Sequence, residues 1–236
     1  PVDLVGHHWH TALHVAAMGG RLDCIEYLLG AGATVDKQIK GLHAGMTALA
    51  LAAQNQHLGC VRCLVEHGAD PLEADKHGYT PVVHGFLGGN AEVARFLATI
   101  QDGDLNCLPN SEYTLLQTLC CDEKVDMVNL LLTEFRDGID INANAGDMTP
   151  LHEAASKSNV ELCSLLLQHG AKLEERSSPT HWMPYATPLA FAAAAGSVKV
   201  VKLLVQQGAS ILECVIRPKT VVHEVASATD EHRVLE

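Results

Sequence analysis

The stretch TPLHEAASKSNVELCSLLLQHGA, Thr149 to Ala171, holds an Ala-Ala pair and a Leu-Leu-Leu run between an opening Thr-Pro and a closing Gly-Ala. No residue in it looks catalytic, so its meaning depends on whether it recurs. Aligning on Thr149 finds Thr11, Thr47, Thr80, Thr114, Thr187 and Thr220, at successive intervals of 36, 33, 34, 35, 38 and 33 residues along the chain. A fixed period of this size marks a repeat architecture.

The other positions keep the same spacing. Two residues after the threonines stand Leu13, Leu49, Val82, Leu116, Leu151, Leu189 and Val222. Ala pairs recur at Ala16–Ala17, Ala52–Ala53, Ala154–Ala155 and Ala192–Ala193, and Gly-Ala closes four copies, as at Gly32–Ala33 and Gly170–Ala171. Each residue type has a physical reason. Thr can cap a helix N-terminus. Pro81, Pro150 and Pro188 sit at the first helical position, where a missing N–H costs little. Small Ala pairs let a second helix approach. Gly20, Gly89 and Gly196 break the first helix, and the closing glycine caps the second. One unit reads as helix, tight turn, helix and polar loop. The chain 1–236 is thus expected to form one domain with six whole repeats, anchored at positions 11, 47, 80, 114, 149 and 187, and a truncated seventh from about residue 216.

The motifs TALHVAA, TALALAA, TPLHEAA and TPLAFAA, with the Gly-Ala closures, resemble the ankyrin repeat. The resemblance covers nearly the whole chain. It implies an all-α solenoid of helix-turn-helix units joined by hairpin-like finger loops. It also implies binding through the fingers and the exposed concave face of the first helices. Copies three and four depart from the pattern: TPVVHGF and TLLQTLC lack the Ala pair, and Gln101 and Phe135 replace the closing glycine. Less regular packing is expected there. The chain reads as a piece of a longer protein, with other domains of that parent as neighbours.

Bulk composition narrows the function classes. The net charge is −12, from 16 basic and 28 acidic residues, which disfavours nucleic acid and anionic membrane as partners. No apolar run is long enough to span a bilayer, so no membrane insertion is expected. Eight cysteines in 236 residues do not read as a disulfide scaffold, and the expected compartment is the cytosol or nucleus.

The aromatic residues mark a candidate binding surface. Of six Trp and Tyr residues, five precede a repeat threonine closely: Trp9, Tyr79, Tyr113, Trp182 and Tyr185. Tyr27 alone sits on a second helix. With His10, Met46, Met148 and Met183 they are expected to line the fingers as a contact stripe for a protein or peptide, or else to pack finger against finger. Acidic residues flank the middle of the stripe: Glu73, Asp75, Asp102, Asp104, Glu112, Asp122 and Glu123. They would suit a basic anchor on the partner, or be ordinary solvated loops. The finger from Gly170 to Thr187 spans 17 positions, against 12 from Gly68 to Thr80, and its SSPTHWMPY insertion is a recognition candidate.

Several signals point elsewhere and are weaker. HHWH, His7 to His10, lacks the convergent ligands that a metal needs. Cys60 shares a second-helix register with Cys24 and reads as core, as does Cys163, whereas Cys121 is a candidate reactive thiol without an evident activator. His14 and His152 stand three residues after their threonines, where the resemblance implies bonds to backbone. Ala50, Val83, Gln117 and Ala190 take that place in other copies, so no shared chemistry is expected. No catalytic residues, cofactor or metal are assigned. The leading reading is a non-catalytic protein-interaction module acting as the recognition or adaptor arm of a larger protein. A structural spacer is the alternative, and an enzyme with a groove site the third.

Overall fold

A computed structural model describes residues 3, 10–40, 45–100, 105 and 112–212. Among them the regular structure is helical. The helices are α1 (Ala12–Met18), α2 (Leu22–Gly30), α3 (Ala48–Gln54), α4 (Leu58–Glu66), α5 (Pro81–Gly88), α6 (Ala91–Ile100), α7 (Leu115–Cys121), α8 (Val125–Glu134), α9 (Pro150–Ser156), α10 (Val160–Gln168), α11 (Pro188–Ala194) and α12 (Val198–Gln206). The chain divides into two compact units, Pro1–Leu115 and Leu116–Glu236. In the first, α3 packs against α1 and α5, while α4 packs against α2 and α6. In the second, α9 packs on α10 and α11, and α10 lies against α8 and α12. The seventh copy, from residue 216, lies outside the described residues.

Each first helix begins where the threonine register predicts. The Thr11 side chain accepts the N–H of His14, and the Thr47 side chain accepts that of Ala50. Pro81, Pro150 and Pro188 occupy the first turns of α5, α9 and α11. The tight turn after each first helix has one backbone solution. The ninth residue after the threonine has positive φ in all six copies: Gly20, Gln56, Gly89, Glu123, Ser158 and Gly196. Three of these are not glycine, so the turn imposes the left-handed conformation on residues that pay for it sterically. At Gly20 two constraints coincide, because a Cβ would also lie 2.7 Å from the His57 ring.

The irregular copies keep their cores by other means. In place of an Ala pair, α5 has Gly85 and Phe86, and Phe86 is fully buried. A Cβ on Gly85 would stand 3.1 Å from Leu97, so the missing methyl lets α6 close down. In α7 the pair is Leu119 and Cys120, both buried. The expected irregularity appears at the closure of copy four, where Phe135 has φ −121° and a 3-10 turn, Arg136–Gly138, follows.

Polar side chains tie each finger to its neighbour within a unit. The carboxylate of Asp36 accepts the N–H of Asp70 at 3.1 Å, and Asp3 accepts that of Thr34 at 3.2 Å. In the second unit Asn142 accepts from Lys172 at 2.8 Å, and Glu174 accepts from Ser210 at 2.7 Å. A second set of bonds starts on the first helices. His14 Nδ1 accepts the N–H of Thr11 at 3.1 Å, so its Nε2–H donates to the Lys37 carbonyl at 2.7 Å. His152 repeats the pattern with Thr149 and with the Ala186 carbonyl, at 3.1 and 3.0 Å. Gln117, at the same register, donates to the carbonyls of Ala145 and Met148. The expectation of no shared chemistry at this register is amended for Gln117 alone, whose amide N–H reaches a finger carbonyl as an imidazole does, while Ala50, Val83 and Ala190 have no side-chain donor to offer.

Burial holds the His152 imidazole down at about 4, against hydrogen bonds to backbone that favour the charged form, and it lowers His14 as well. A proton on Nδ1 would also oppose the Thr149 N–H. The folded value lies below the ordinary 6.5, so the unfolded chain binds the proton first. This contribution to stability is complete above about pH 6.5 and drains away as the pH falls toward 4. The expected loss from His152 is about 3 kcal/mol over that window. Denaturant titrations at stepped pH check it: His152→Gln keeps a donor to the finger and should flatten the decline, whereas an unchanged slope would contradict the assignment.

Candidate functional site

The finger turns impose a second left-handed position, two residues before the threonine. Gly45 has φ 89°, Gly78 81°, Asp147 71° and Tyr185 57°. Glycine and aspartate suit such a turn, whereas a bulky aromatic residue there costs about 1–2 kcal/mol. Tyr185 nonetheless occupies it, 51% exposed. Its finger is held by many bonds. Ser177 N–H donates to the Ala186 carbonyl at 2.9 Å, and the Ser177 hydroxyl donates to the Met183 carbonyl at 2.5 Å while accepting the Ala186 N–H at 2.9 Å. The preceding finger contributes Asp147, whose carbonyl accepts from Ser178 N–H at 2.9 Å and whose carboxylate accepts from the Thr180 hydroxyl at 2.9 Å.

This scaffold presents Trp182 at 71% exposure. One edge of its indole meets the buried ring of Phe191 on α11, with centroids 6.0 Å apart and planes at 74°. His181 bridges the two, 5.6 Å from Trp182 and 5.2 Å from Phe191, and accepts the Met183 N–H on Nδ1 at 3.2 Å. Met183 is half-buried. Both alternatives read from the sequence therefore coexist in this insertion, because the loop packs back on Phe191 and still leaves most of the indole in solvent. The sequence reading missed Phe191 and His181. Their role depends on how the insertion folds back, which residue spacing does not encode.

Elsewhere the proposed stripe is uneven. Trp9, Asp102 and Asp104 lie outside the described residues. Met46 is only 4% exposed, because its finger closes on Ile39 through bonds of 3.0 and 2.8 Å, so its side chain is core and offers no contact surface. His10 is half-buried and meets His14 edge to face. Tyr79 is half-buried, its ring 6.0 Å from His84. Tyr113, Glu112 and Asp122 are exposed, and Met148 is half-buried.

The acidic flank is also corrected. Asp75 is 7% exposed and is consumed internally. It accepts the N–H groups of His77 at 2.8 Å and Tyr79 at 3.1 Å, and pairs with His84 Nε2 at 3.0 Å. Burial alone would raise its carboxyl, but these bonds together hold it below the ordinary range. Glu73 accepts from Gln38 at 2.6 Å. One register of the first helices is largely buried too. Four residues after the threonine, Leu51, His84, Glu153 and Phe191 are buried, while Val15 is 59% exposed.

Among the described residues, no group of three or more His, Cys, Asp or Glu could hold a metal ion. Cys60, Cys63 and Cys163 are buried core thiols, whereas Cys24 is exposed despite sharing the register of Cys60. Cys121 is not an activated nucleophile. Burial, with Glu153 adding to it, pushes its thiol up to about 12.

Comparisons with known proteins agree with this architecture. The family profile described as ankyrin repeats (3 copies) matches residues 13–107 and 89–177, and one described as ankyrin repeat matches 185–214. The chain is similar to palmitoyltransferase ZDHHC17 of Homo sapiens, 32% identical over 171 residues, covering 71% of this chain and 26% of that protein. It is similar to palmitoyltransferase AKR1 of Lachancea kluyveri, 27% identical over 172 residues, covering 71% and 23%. With ankyrin repeat and SOCS box protein 6 of Homo sapiens it is 28% identical over 188 residues, covering 69% and 44%. The chain thus spans about a quarter of the palmitoyltransferases it matches. Among solved structures, the human ASB11 ankyrin repeat domain superposes with a TM-score of 0.79 at 22% identity, covering 95% of this chain and 96% of that one. The Bcl-3 ankyrin repeat domain gives 0.70 at 25% identity, covering 92% and 98%.

The thiol environments predict an order of alkylation. At mildly alkaline pH, Cys24 is expected to react first among the described cysteines, and Cys121 about a thousandfold more slowly than an ordinary exposed thiol. Peptide mapping by mass spectrometry after timed labelling checks this; Cys121 labelled as fast as Cys24 would refute it.

Proposed function

The chain belongs to the ankyrin repeat family, and from that premise we propose that it is a non-catalytic binding module that serves as the recognition arm of a larger protein. Ankyrin repeats are protein–protein interaction modules and are generally non-catalytic. The reading of a larger parent is supported by the length of the relatives, since the matched region is a minor part of each. Among the described residues no helix is long and apolar enough to cross a membrane. A reducing compartment, cytosol or nucleus, is part of the same proposal, supported by the buried core thiols.

One observation carries the choice of contact surface: the finger bearing Trp182 and Tyr185. A tyrosine kept in a left-handed turn reduces the stability of the fold, and such cost concentrates where a residue has another task. The finger is already ordered by its hydrogen bonds, so little conformational entropy would be lost on docking. Trp and Tyr are also the side chains most often found as energetic anchors at interfaces. Tyr113 with exposed Glu112 forms a secondary contact in the same proposal, suited to a basic side chain. Asp122, also exposed, belongs with it on charge grounds alone.

Tyr185→Gly separates the two demands. It is expected to stabilise the fold by about 1 kcal/mol and to weaken partner capture. Trp182→Ala is expected to reduce affinity by tenfold or more, since an interface anchor contributes about 2 kcal/mol. Denaturation midpoints and quantitative pull-downs of folded variants measure both effects. A captured protein lost with Tyr79→Ala/Tyr113→Ala but retained by Trp182→Ala/Tyr185→Gly would move the site to the first unit and overturn this choice.

A further inference from the structure

The sequence holds four Ser-Pro or Thr-Pro pairs: Thr80–Pro81, Thr149–Pro150, Ser178–Pro179 and Thr187–Pro188. Three of them start helices, and their threonines are buried and closed to any enzyme. The remaining pair lies in the long finger. Ser178 is half-buried, Pro179 and Thr180 are exposed, and the hydroxyls of Ser178 and Thr180 meet at 2.9 Å. The neighbouring Ser177 is buried, its hydroxyl engaged with Met183 and Ala186. Ser178 opens a turn that the His181 N–H closes on the Ser178 carbonyl at 3.2 Å, with Pro179 at the position where proline favours turning.

The same turn clasps two fingers together. The Asp147 carbonyl accepts the Ser178 N–H and the Asp147 carboxylate accepts the Thr180 hydroxyl, each at 2.9 Å. The Ser178 hydroxyl is therefore linked to the carboxylate through one intervening hydroxyl. His181, which ends the turn, is the ring that lies between Trp182 and Phe191. A charge placed on Ser178 acts on the clasp first and on the seating of the indole next.

We propose that Ser178 is a phosphorylation site for a proline-directed protein kinase, and that the phosphate opens the clasp and withdraws the Trp182 finger from binding. The γ-phosphoryl group of Mg-ATP passes to the Ser178 Oγ. A phosphate ester bond forms, the bond to the β-phosphate oxygen breaks, ADP leaves, and the hydroxyl proton goes to the catalytic carboxylate of the kinase. The product brings about −1.5 to −2 of charge at neutral pH beside the Asp147 carboxylate, and like charges there disrupt the contact. A loop tip held by a few surface hydrogen bonds opens locally at low cost, which gives the kinase its extended substrate. The regulation rests on the reading of this finger as the contact surface, whereas the modification itself does not.

Incubation of the folded full chain with a proline-directed kinase and Mg-ATP, followed by peptide mapping, tests the site. A single phosphoryl group is expected on Ser178, with Thr80, Thr149 and Thr187 unlabelled and Ser178→Ala inert. Hydrogen exchange tests the consequence. Amides of residues 177–186 should exchange about tenfold faster in the phosphorylated chain. The gain should shrink to about twofold in Asp147→Asn, which keeps an acceptor for Thr180 and suits left-handed backbone but carries no charge. Circular dichroism confirms that both variants fold. A folded chain that stays unlabelled, or is labelled elsewhere, would overturn the site. Exchange that is unchanged, or slower because Arg176 grips the phosphate, or equally fast in Asp147→Asn, would overturn the clasp mechanism. Neither readout involves a partner. A protein whose capture is lost with Trp182→Ala but kept on phosphorylation would overturn the regulation. Capture that survives Trp182→Ala would instead refute the contact surface and leave the labelling and exchange results standing.

Discussion

A seven-residue helix cannot hold itself in water, because its nucleation cost is not recovered in so few hydrogen bonds. Every first helix described here except α5 is of that length. Each depends on burying Ala, Gly or Leu against the helix before or after it, and the Ala pairs are nearly inaccessible in α1, α3 and α9. No repeat has a core of its own. Neighbour contact is therefore the stabilising interaction from which the rest follows. Small side chains on facing first helices set the spacing. The left-handed turn at the ninth position then returns the second helix onto the first.

Close spacing of helices forces close spacing of the loops between them, and their backbone groups need partners. Three kinds of side chain meet that need. Carboxylates and amides at Asp3, Asp36, Asn142 and Glu174 accept from the neighbouring finger. Imidazoles at His14 and His152, and the amide of Gln117, donate to finger carbonyls. Asp75 braces its own finger against His84. Polar residues that look like recognition chemistry in isolation are mostly engaged in holding loops together. The candidate contact surface is then what remains after those demands are met. In the second unit this is an ordered finger with an indole set edge to face with Phe191 and a tyrosine in a costly turn.

The period, the helix positions, the caps and the all-α class were legible because they rest on local rules. Thr before an apolar pattern, Pro at the first helical position and Gly after the last are properties of a few adjacent residues. The equivalence of His14, Gln117 and His152 was visible as spacing, but not as function. An imidazole and an amide resemble each other only when the carbonyl they both reach is in place. Asp75 was read as a surface charge for the same reason, since His84, nine residues on, reaches it only through the fold of the finger.

The sequence by itself determined the repeating helix pair, its register and the family, because each copy repeats the same short-range physics. Tertiary structure alone decided which members of the stripe are exposed. Met46 went inside while Trp182 stayed out, although both precede a threonine in the chain. Exposure depends on what a neighbouring finger covers, and the finger lengths vary from copy to copy. Met46 is covered as its finger closes on Ile39, and Trp182 meets Phe191 only because the long insertion folds back, and residue spacing specifies neither contact.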